Sequence, residues 1–166
     1  VSDKTISEDS LLDLASLTKL LTATLALRLH SEGMLPLDRP LGELTDCNPS
    51  LRPLKPEDLL RHRSGLAAWL PLSICVPQRD DVLEWLLRTE VSSAPQETYS
   101  DLGYILWGRL AERLLDESLE SLLSRFVLSE LDDADLGLAS DLSRVVACTC
   151  DNGLEVALAS ELGIEM

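Results

Sequence analysis

The sequence has 166 residues, of which 45% are hydrophobic and 26% are charged. This composition is typical of a folded globular chain with a sizeable core, and it excludes a disordered one. The net charge of −15 repels phosphate backbones and anionic lipids, so we expect neither nucleic acid nor a membrane as a partner. Charged residues also interrupt each apolar run before it reaches the length that a bilayer requires.

The start of the chain leaves the cellular compartment open. Val1 is not a methionine, and no basic segment followed by an apolar one is visible after it. We therefore expect no signal peptide in the sequence and a natural start that lies upstream of Val1.

The cysteines and histidines do not have the spacing of a zinc site, which needs paired Cys-x-x-Cys units or nearby histidines. The sequence holds one Cys-x-Cys pair, two single cysteines and two distant histidines: Cys47, Cys75, Cys148, Cys150, His30 and His62. We predict small, partly buried thiols, with no metal and no cofactor. Their number does not decide the redox compartment.

The first predicted element is a helix that begins at Leu14 after a short polar segment. Its leucines cover more than one face, which is typical of a largely buried helix, and Gly33 is placed to end it. The next segment, MLPLDRPLGEL, contains two prolines and a glycine and predicts a loop with extended pieces. A short helix follows in KPEDLLRHRSGL, with Pro56 in its first turn and Gly65 at its end.

The rest of the chain predicts three more helices and one strand. Residues 66–78 look irregular, and QRDDVLEWLLRTE has the apolar spacing of an amphipathic helix. SSAPQETYSDLG predicts a loop, because Pro95 disfavours helix before it. GYILWGRLAERLLDE and LESLLSRFVLSEL predict two helices in tandem, and RVVACTC predicts a strand after an acidic loop. No repeat or linker interrupts the chain, so we predict one mainly helical domain over residues 1–166.

A hydroxyl and an amine lie three residues apart at the start of the first helix. Ser16 is a weak nucleophile unless a nearby group takes its proton, and Lys19 shares its face of the helix. The helix N-terminus and burial among apolar neighbours both disfavour a protonated lysine, and unpaired amides there could hold an oxyanion. These features favour Ser16 as an acylated nucleophile and Lys19 as its base. The alternative is an N-cap serine beside a lysine that extends to solvent.

Two further polar residues stand in front of a later helix. Tyr99 lies in a loop, where its phenol can exchange a proton with Ser16 or with a leaving group. Asp101 could accept hydrogen bonds from a substrate amide or from Lys19. Each also has a structural interpretation, Tyr99 as a half-buried loop aromatic and Asp101 as the N-cap of the next helix. For Asp101 the two interpretations are compatible.

Three segments in this order resemble the serine β-lactamase-like, penicillin-binding-protein-like superfamily, in its class C and esterase branch. SLTK at residues 16–19 is similar to the Ser-x-x-Lys motif, and LLRHRSGL at residues 59–66 resembles a recurrent Leu-Leu-x-His-x-Ser-Gly-Leu. YSD at residues 99–101 takes the place of the Tyr-x-Asn motif. The resemblance covers roughly residues 10 to 150, and the joint pattern is more specific than any single motif.

The resemblance implies an acyl-enzyme mechanism without a cofactor. Ser16 would attack the carbonyl of a β-lactam, an ester or a D-amino-acid peptide, so the partner would be a small-molecule or peptide substrate. Lys19 and Tyr99 would share proton transfer, and Asp101 would help to orient the substrate.

The sequence also departs from the family pattern. No lysine or histidine follows Tyr99, so the third motif, Lys-Thr-Gly or His-x-Gly on a strand opposite the serine, is absent from this sequence. Asp101 replaces the asparagine, and a carboxylate donates no hydrogen bond unless it is protonated. This weakens the case for β-lactam hydrolysis and leaves ester or amide chemistry open. For His62 and Ser64 the resemblance implies a structural role, with local hydrogen bonds of the histidine and a Ser-Gly turn that ends a helix.

We therefore expect a mainly α chain that forms the helical region of a β-lactamase/transpeptidase-like α+β fold, whose antiparallel sheet lies mostly outside this chain. A helical layer without its second layer exposes an apolar face. We predict such a patch on helices such as Leu102–Leu115, or a partner chain or oligomer that covers it. Two functions stay open: a serine acyl hydrolase seen in part, and an inactive helical binding or scaffold module derived from that family.

Overall fold

A computed structural model describes residues 10–76, 78–92, 97–131, 136 and 145–146, which are mainly helical. They form seven α-helices: α1 Thr18–Ser31, α2 Leu41–Leu44, α3 Pro56–Leu60, α4 Leu72–Cys75, α5 Val82–Arg88, α6 Asp101–Leu115 and α7 Leu119–Phe126. Two short strands, β1 Leu11–Leu12 and β2 Val145–Val146, pair in parallel. Over these same ranges, no helix combines the length and the apolarity that a membrane crossing needs.

The helix that carries Lys19 begins later than the sequence predicts. The Asp13 carboxylate accepts a hydrogen bond from the Ala15 amide at 2.7 Å, and Ala15 has a φ of 45°. A 3₁₀ turn, Ala15–Leu17, therefore precedes α1. Gly33, with a φ of 71°, follows the helix end as predicted, because glycine adopts this left-handed conformation without a steric penalty.

The centre of the core is α6, which packs against α3, α5, α7 and α1. Seven of its residues are buried, and Trp107 among them is fully enclosed. Gly103 allows α6 to lie against α3, since a Cβ at this position would be 2.7 Å from the Leu59 carbonyl oxygen. The Tyr104 hydroxyl donates a hydrogen bond to the Leu60 carbonyl at 3.1 Å. These contacts set the position of the α6 N-terminus, where Tyr99 and Asp101 lie.

Five helices confirm the sequence predictions, namely α1, α3, α5, α6 and α7. The predicted end of α3 at Gly65 is wrong, because the helix ends at Leu60 and His62 already has a left-handed φ of 59°. The structure adds α2 and α4, in segments that predict a loop and irregular structure. Each is a single turn that follows a proline, Pro40 or Pro71. Four residues are too few for an apolar periodicity to show in the sequence.

The predicted strand in RVVACTC is seen at Val145–Val146, and the rest of that segment lies outside the described residues. Its partner is Leu11–Leu12, with Leu11 opposite Val145. The sequence does not predict the strand Leu11–Leu12, because its pairing joins segments more than a hundred residues apart.

The predicted exposed apolar face lies on α1 instead of α6. Leu17, at the end of the 3₁₀ turn before α1, and Leu20 and Leu27 of α1 are 61%, 67% and 63% exposed. Their spacing places them in one stripe along the turn and the helix. We call these three residues the α1 leucine stripe. On α6, by contrast, the only large apolar side chain that is exposed is Leu114. The expectation of a largely buried first helix is thus wrong for one face, since α1 buries only the other one.

The cysteines that the structure describes are free thiols, as predicted. Cys47 is buried and Cys75 is half-buried, and burial raises the pKa of the Cys47 thiol. Cys148 and Cys150 lie outside the described residues. In the described ranges, no three side chains of the His, Cys, Asp and Glu types are grouped so that they could hold a metal ion.

Candidate active site

Four candidate side chains lie together at the N-termini of α1 and α6. Ser16 is in the 3₁₀ turn before α1, and Lys19 is in the first turn of that helix. Tyr99 precedes α6, and Asp101 is the first residue of α6. The fold brings Lys19 and Asp101 into contact although they are 82 positions apart in the chain.

The ammonium group of Lys19 is the centre of this cluster. Its Nζ donates hydrogen bonds to Asp101 Oδ1 at 2.5 Å and to Ser16 Oγ at 3.4 Å. It also lies 4.9 Å from the centroid of the Tyr99 ring. The Lys19 side chain is 17% exposed, so it points into the cluster and does not extend to solvent.

Lys19 keeps its proton in this arrangement. Burial lowers the pKa of Lys19, but the hydrogen bonds and negative charges of Asp101 and Tyr99 outweigh burial and raise that pKa above its ordinary value of 10.5. The expectation that burial makes Lys19 easy to deprotonate is therefore wrong. An anion at hydrogen-bond distance favours the ammonium form more than partial desolvation disfavours it.

The pKa of Tyr99 shifts in the opposite direction. A hydrogen bond with Ser16, followed by a hydrogen bond with Lys19 and the positive charge of Lys19, lowers the pKa of Tyr99 below its ordinary value of 10.0. The side chain is 55% exposed, so Tyr99 is not the half-buried loop aromatic of the structural interpretation. A lowered pKa makes the phenolate, which is the form that accepts a proton, available at a lower pH.

The N-cap of α6 is Ser100 and not Asp101. The Ser100 hydroxyl accepts a hydrogen bond from the Gly103 amide at 3.3 Å and donates one to the Ala67 carbonyl at 2.6 Å. Asp101 is the first helical residue, and its amide donates to the Ala68 carbonyl at 2.8 Å. Because Ser100 caps the helix, the Asp101 carboxylate can bind Lys19.

His62 lies directly beside Tyr99, in a contact that the sequence does not predict. The His62 Nδ1 accepts a hydrogen bond from the Ser100 amide at 3.0 Å, and the rings of His62 and Tyr99 lie 4.4 Å apart between centroids. The LLRHRSGL motif singles out His62, but the residue that its side chain binds, Ser100, is 38 positions away. The expectation of local hydrogen bonds for this side chain is therefore wrong. Ser64 is buried and accepts a hydrogen bond from the Leu66 amide at 3.3 Å, which is a structural contact.

A cleft of about 590 Å³ opens beside Ser16 and Lys19. Its walls come from the N-terminal part of α1, from α6, from Leu119 of α7 and from the segment that leads into α4. Most of the wall surface is apolar, with large side chains contributed by Trp69, Leu70, Leu72, Leu102 and Ile105. Its volume is in the range of small-ligand sites. The cluster of polar groups at one end of an apolar cleft can place a carbonyl group next to Ser16.

This architecture is that of the helical part of a β-lactamase/transpeptidase fold. A class C β-lactamase from Rhodobacter sphaeroides matches 76% of this chain and 36% of its own, at a TM-score of 0.61 and 24% identity. A β-lactamase/D-alanine carboxypeptidase from Yersinia pestis, complexed with citrate, matches 78% of this chain and 41% of its own, at a TM-score of 0.62 and 24% identity. An octameric penicillin-binding protein homologue from Pyrococcus abyssi matches 69% of this chain and 30% of its own, at a TM-score of 0.56 and 25% identity.

The family itself follows from the sequence. The model of the Beta-lactamase family matches residues 1–149, and the chain belongs to that family, which confirms the resemblance inferred from the three motifs. No curated protein matches the chain significantly. The chain spans only 30% to 41% of the length of the similar structures, as expected of a chain that contains mainly their helical part.

Proposed function

We propose that this chain supplies the nucleophile-bearing part of a serine acyl hydrolase that acts through an acyl-enzyme. Ser16 attacks the carbonyl of a β-lactam, an ester or a D-amino-acid peptide. The observation that carries the proposal is the position of the Lys19 ammonium, which hydrogen-bonds Ser16 and Asp101 at once and lies 4.9 Å from the centroid of the Tyr99 ring. Membership of the Beta-lactamase family and the likeness to class C β-lactamases support serine hydrolase chemistry in general.

In this proposal Tyr99 accepts the proton of Ser16. A bond forms between Ser16 Oγ and the carbonyl carbon while the hydroxyl proton moves to the oxygen of Tyr99, which starts the step as a deprotonated phenolate. The same proton then passes to the leaving amine or alkoxide as its bond to the carbonyl carbon breaks. Lys19 stays protonated and stabilises the negative charge on the phenolate and on the reacting oxygen. Water later releases the acyl group from Ser16 by the reverse proton transfers.

Asp101 holds the Lys19 ammonium in place and also influences the choice of substrate. Its carboxylate, unlike an amide, donates no hydrogen bond to a substrate carbonyl, and it repels a substrate carboxylate. The proposal therefore favours uncharged esters or amides over β-lactams that carry a carboxylate.

An inactive helical binding or scaffold module is the second candidate. The α1 leucine stripe would supply a binding face in such a module. This candidate predicts a folded protein that no acylating probe modifies.

Covalent labelling separates the two candidates. A fluorophosphonate and a fluorescent penicillin are applied to the natural protein that contains this chain, and to its Ser16→Ala and Ser31→Ala variants. We expect labelling of the natural protein, loss of label in Ser16→Ala, and full label in Ser31→Ala, since Ser31 is an exposed serine at the other end of α1. Label that persists in Ser16→Ala, or a natural protein that neither probe modifies, would overturn the hydrolase proposal. A stronger signal from the fluorophosphonate than from the penicillin would support the preference for uncharged substrates.

A further inference from the structure

We propose that His62 is a positioning residue for Tyr99, and that its Nδ1 acceptor holds the tyrosine against Ser16 and Lys19. This inference rests on the proposed function for one point, namely that Tyr99 takes the proton of Ser16. The contacts that carry it belong to the folded chain whether or not the chain is catalytic.

His62 makes hydrogen bonds to the residues on both sides of Tyr99. The Thr98 amide donates to the His62 carbonyl at 3.1 Å, and the Ser100 amide donates to His62 Nδ1 at 3.0 Å. One residue therefore fixes the backbone immediately before and immediately after the tyrosine. Such a clamp matters because the Tyr99 side chain is 55% exposed and has little packing to hold it.

The rings of the two residues are also in contact. The centroids of His62 and Tyr99 lie 4.4 Å apart with the ring planes inclined at 33°, a separation that favours attraction between aromatic rings. Lys19 Nζ lies 4.9 Å from the same Tyr99 centroid. His62 and Lys19 thus both contact the phenol ring, one through its imidazole and the other through its charge.

The backbone conformation of His62 indicates that the side chain at this position has a task. His62 has a φ of 59°, in the left-handed region that favours glycine or asparagine after a helix. A histidine there is strained, and strain of this kind is retained where the side chain has a task. Glycine at position 62 would end α3 with less strain, but it would leave the Ser100 amide without its acceptor.

The hydrogen bond also sets the protonation state that the clamp needs. A nitrogen that accepts a hydrogen bond carries no proton, so His62 acts in its neutral form with the proton on Nε2. The charged groups near this contact are Lys19 and Asp101 at the start of α1 and α6, and Arg61 and Arg63 on either side of the histidine.

Two variants separate the acceptor from the ring. His62→Phe keeps an aromatic ring and the strained backbone but has no acceptor for the Ser100 amide. His62→Asn loses the ring, tolerates the left-handed conformation, and keeps an oxygen in the place of Nδ1. If His62 only packs against Tyr99, His62→Asn should change the behaviour of Tyr99 more than His62→Phe does. If His62 positions Tyr99 through its acceptor, His62→Phe should change it more.

The readout is the titration of Tyr99, which is monitored in the chain by the ultraviolet absorbance of the phenolate. The chain has two tyrosines, so Tyr104→Phe serves as the background that isolates Tyr99. We expect Tyr99 to titrate below 10.0 with His62 or with asparagine at position 62, and to move up towards 10.0 in His62→Phe. An unmoved titration in His62→Phe, or an ordinary one in a folded His62→Asn variant, would overturn the inference.

Labelling kinetics give the second readout. We expect the rate of fluorophosphonate labelling of Ser16 in the natural protein to fall by about 10- to 100-fold in His62→Phe and to change little in His62→Asn. Equal labelling of both variants would count against His62 alone. A natural protein that is not labelled would count against the proposed function, and the Tyr99 titration would still decide the role of His62.

Discussion

At the scale of single residues, the protonation states of Lys19 and Tyr99 decide what the site can do. Lys19 lies between Asp101 and Tyr99, which raise its pKa, and Tyr99 lies against Ser16 and Lys19, which lower its own. A partly exposed ion pair contributes about 0 to 1 kcal/mol to folding. The Lys19–Asp101 pair therefore matters mainly for the charge that it fixes beside Ser16.

These two shifts predict the pH dependence of acylation. The rate of fluorophosphonate labelling of Ser16 should rise with pH as Tyr99 loses its proton, at a pH below 10.0 because the pKa of Tyr99 is lowered. It should decline only above pH 10.5, because the pKa of Lys19 is raised and the ammonium persists to that pH. Asp101→Asn removes a carboxylate that raises the pKa of Lys19, so the decline should move to lower pH.

Asp46→Asn is the matched control for this experiment. Asp46 forms an exposed ion pair with Arg52, and its loss changes the net charge equally without touching Lys19. We expect a pH profile like that of the unchanged protein. A profile that shifts equally in both variants would show that net charge, and not the Asp101 contact, determines the alkaline limb.

At the scale of elements, the contact of α3 with α6 places half of the candidate site. The backbones approach closely at Gly103, where a Cβ would meet the Leu59 carbonyl oxygen at 2.7 Å. The Tyr104 hydroxyl and the His62 imidazole add hydrogen bonds at the same junction. A shift of α6 by even a fraction of an ångström would therefore move Tyr99 and Asp101 relative to Ser16.

Two glycines of α6 test this junction against each other. Gly103→Ala should lower the free energy of unfolding by about 1 to 3 kcal/mol, the usual cost of overpacking, because a backbone oxygen cannot move aside. Gly108→Ala should be close to neutral, since its Cβ would lie 3.3 Å from the flexible Leu119 side chain and alanine improves the helix propensity by about 1 kcal/mol. Urea unfolding measures both values, and equal stability of the two variants would contradict the argument.

At the scale of the whole molecule, the distribution of apolar surface is uneven. The core is built around α6 and buries one face of α1, with Leu25, Ala26 and Leu29 fully enclosed. The other face of α1 presents the α1 leucine stripe to solvent, next to the candidate nucleophile. An exposed apolar surface of this kind is costly in water and is typical of an interaction face.

The stripe should therefore bind a hydrophobic dye. We expect the chain to enhance the fluorescence of such a dye, and Leu20→Lys to reduce the signal because it places a charge in the middle of the stripe. Leu114→Lys is the control, as Leu114 is exposed on a different helix, α6, and it should leave the signal nearly unchanged. An absence of dye binding, or an equal loss in both variants, would contradict the prediction.

The sequence by itself determined five of the helices and nominated the four candidate residues. Apolar periodicity is a local property, so α1, α3, α5, α6 and α7 could be predicted from it. Single turns such as α2 and α4 carry no such period. Motif spacing is also a local property of the sequence, so it could identify the four candidate residues Ser16, Lys19, Tyr99 and Asp101.

Only the tertiary structure decided what these residues do to one another. The charge of Lys19 depends on Asp101, which is 82 positions away, and the place of Tyr99 depends on His62, whose bond to Ser100 spans 38 positions. Which face of α1 is exposed depends on the helices that pack against it. Because both faces of α1 carry leucines, the sequence does not indicate which face is exposed. Electrostatic and packing energies act through space, so a pKa or an exposed patch follows from contacts that the order of residues does not contain.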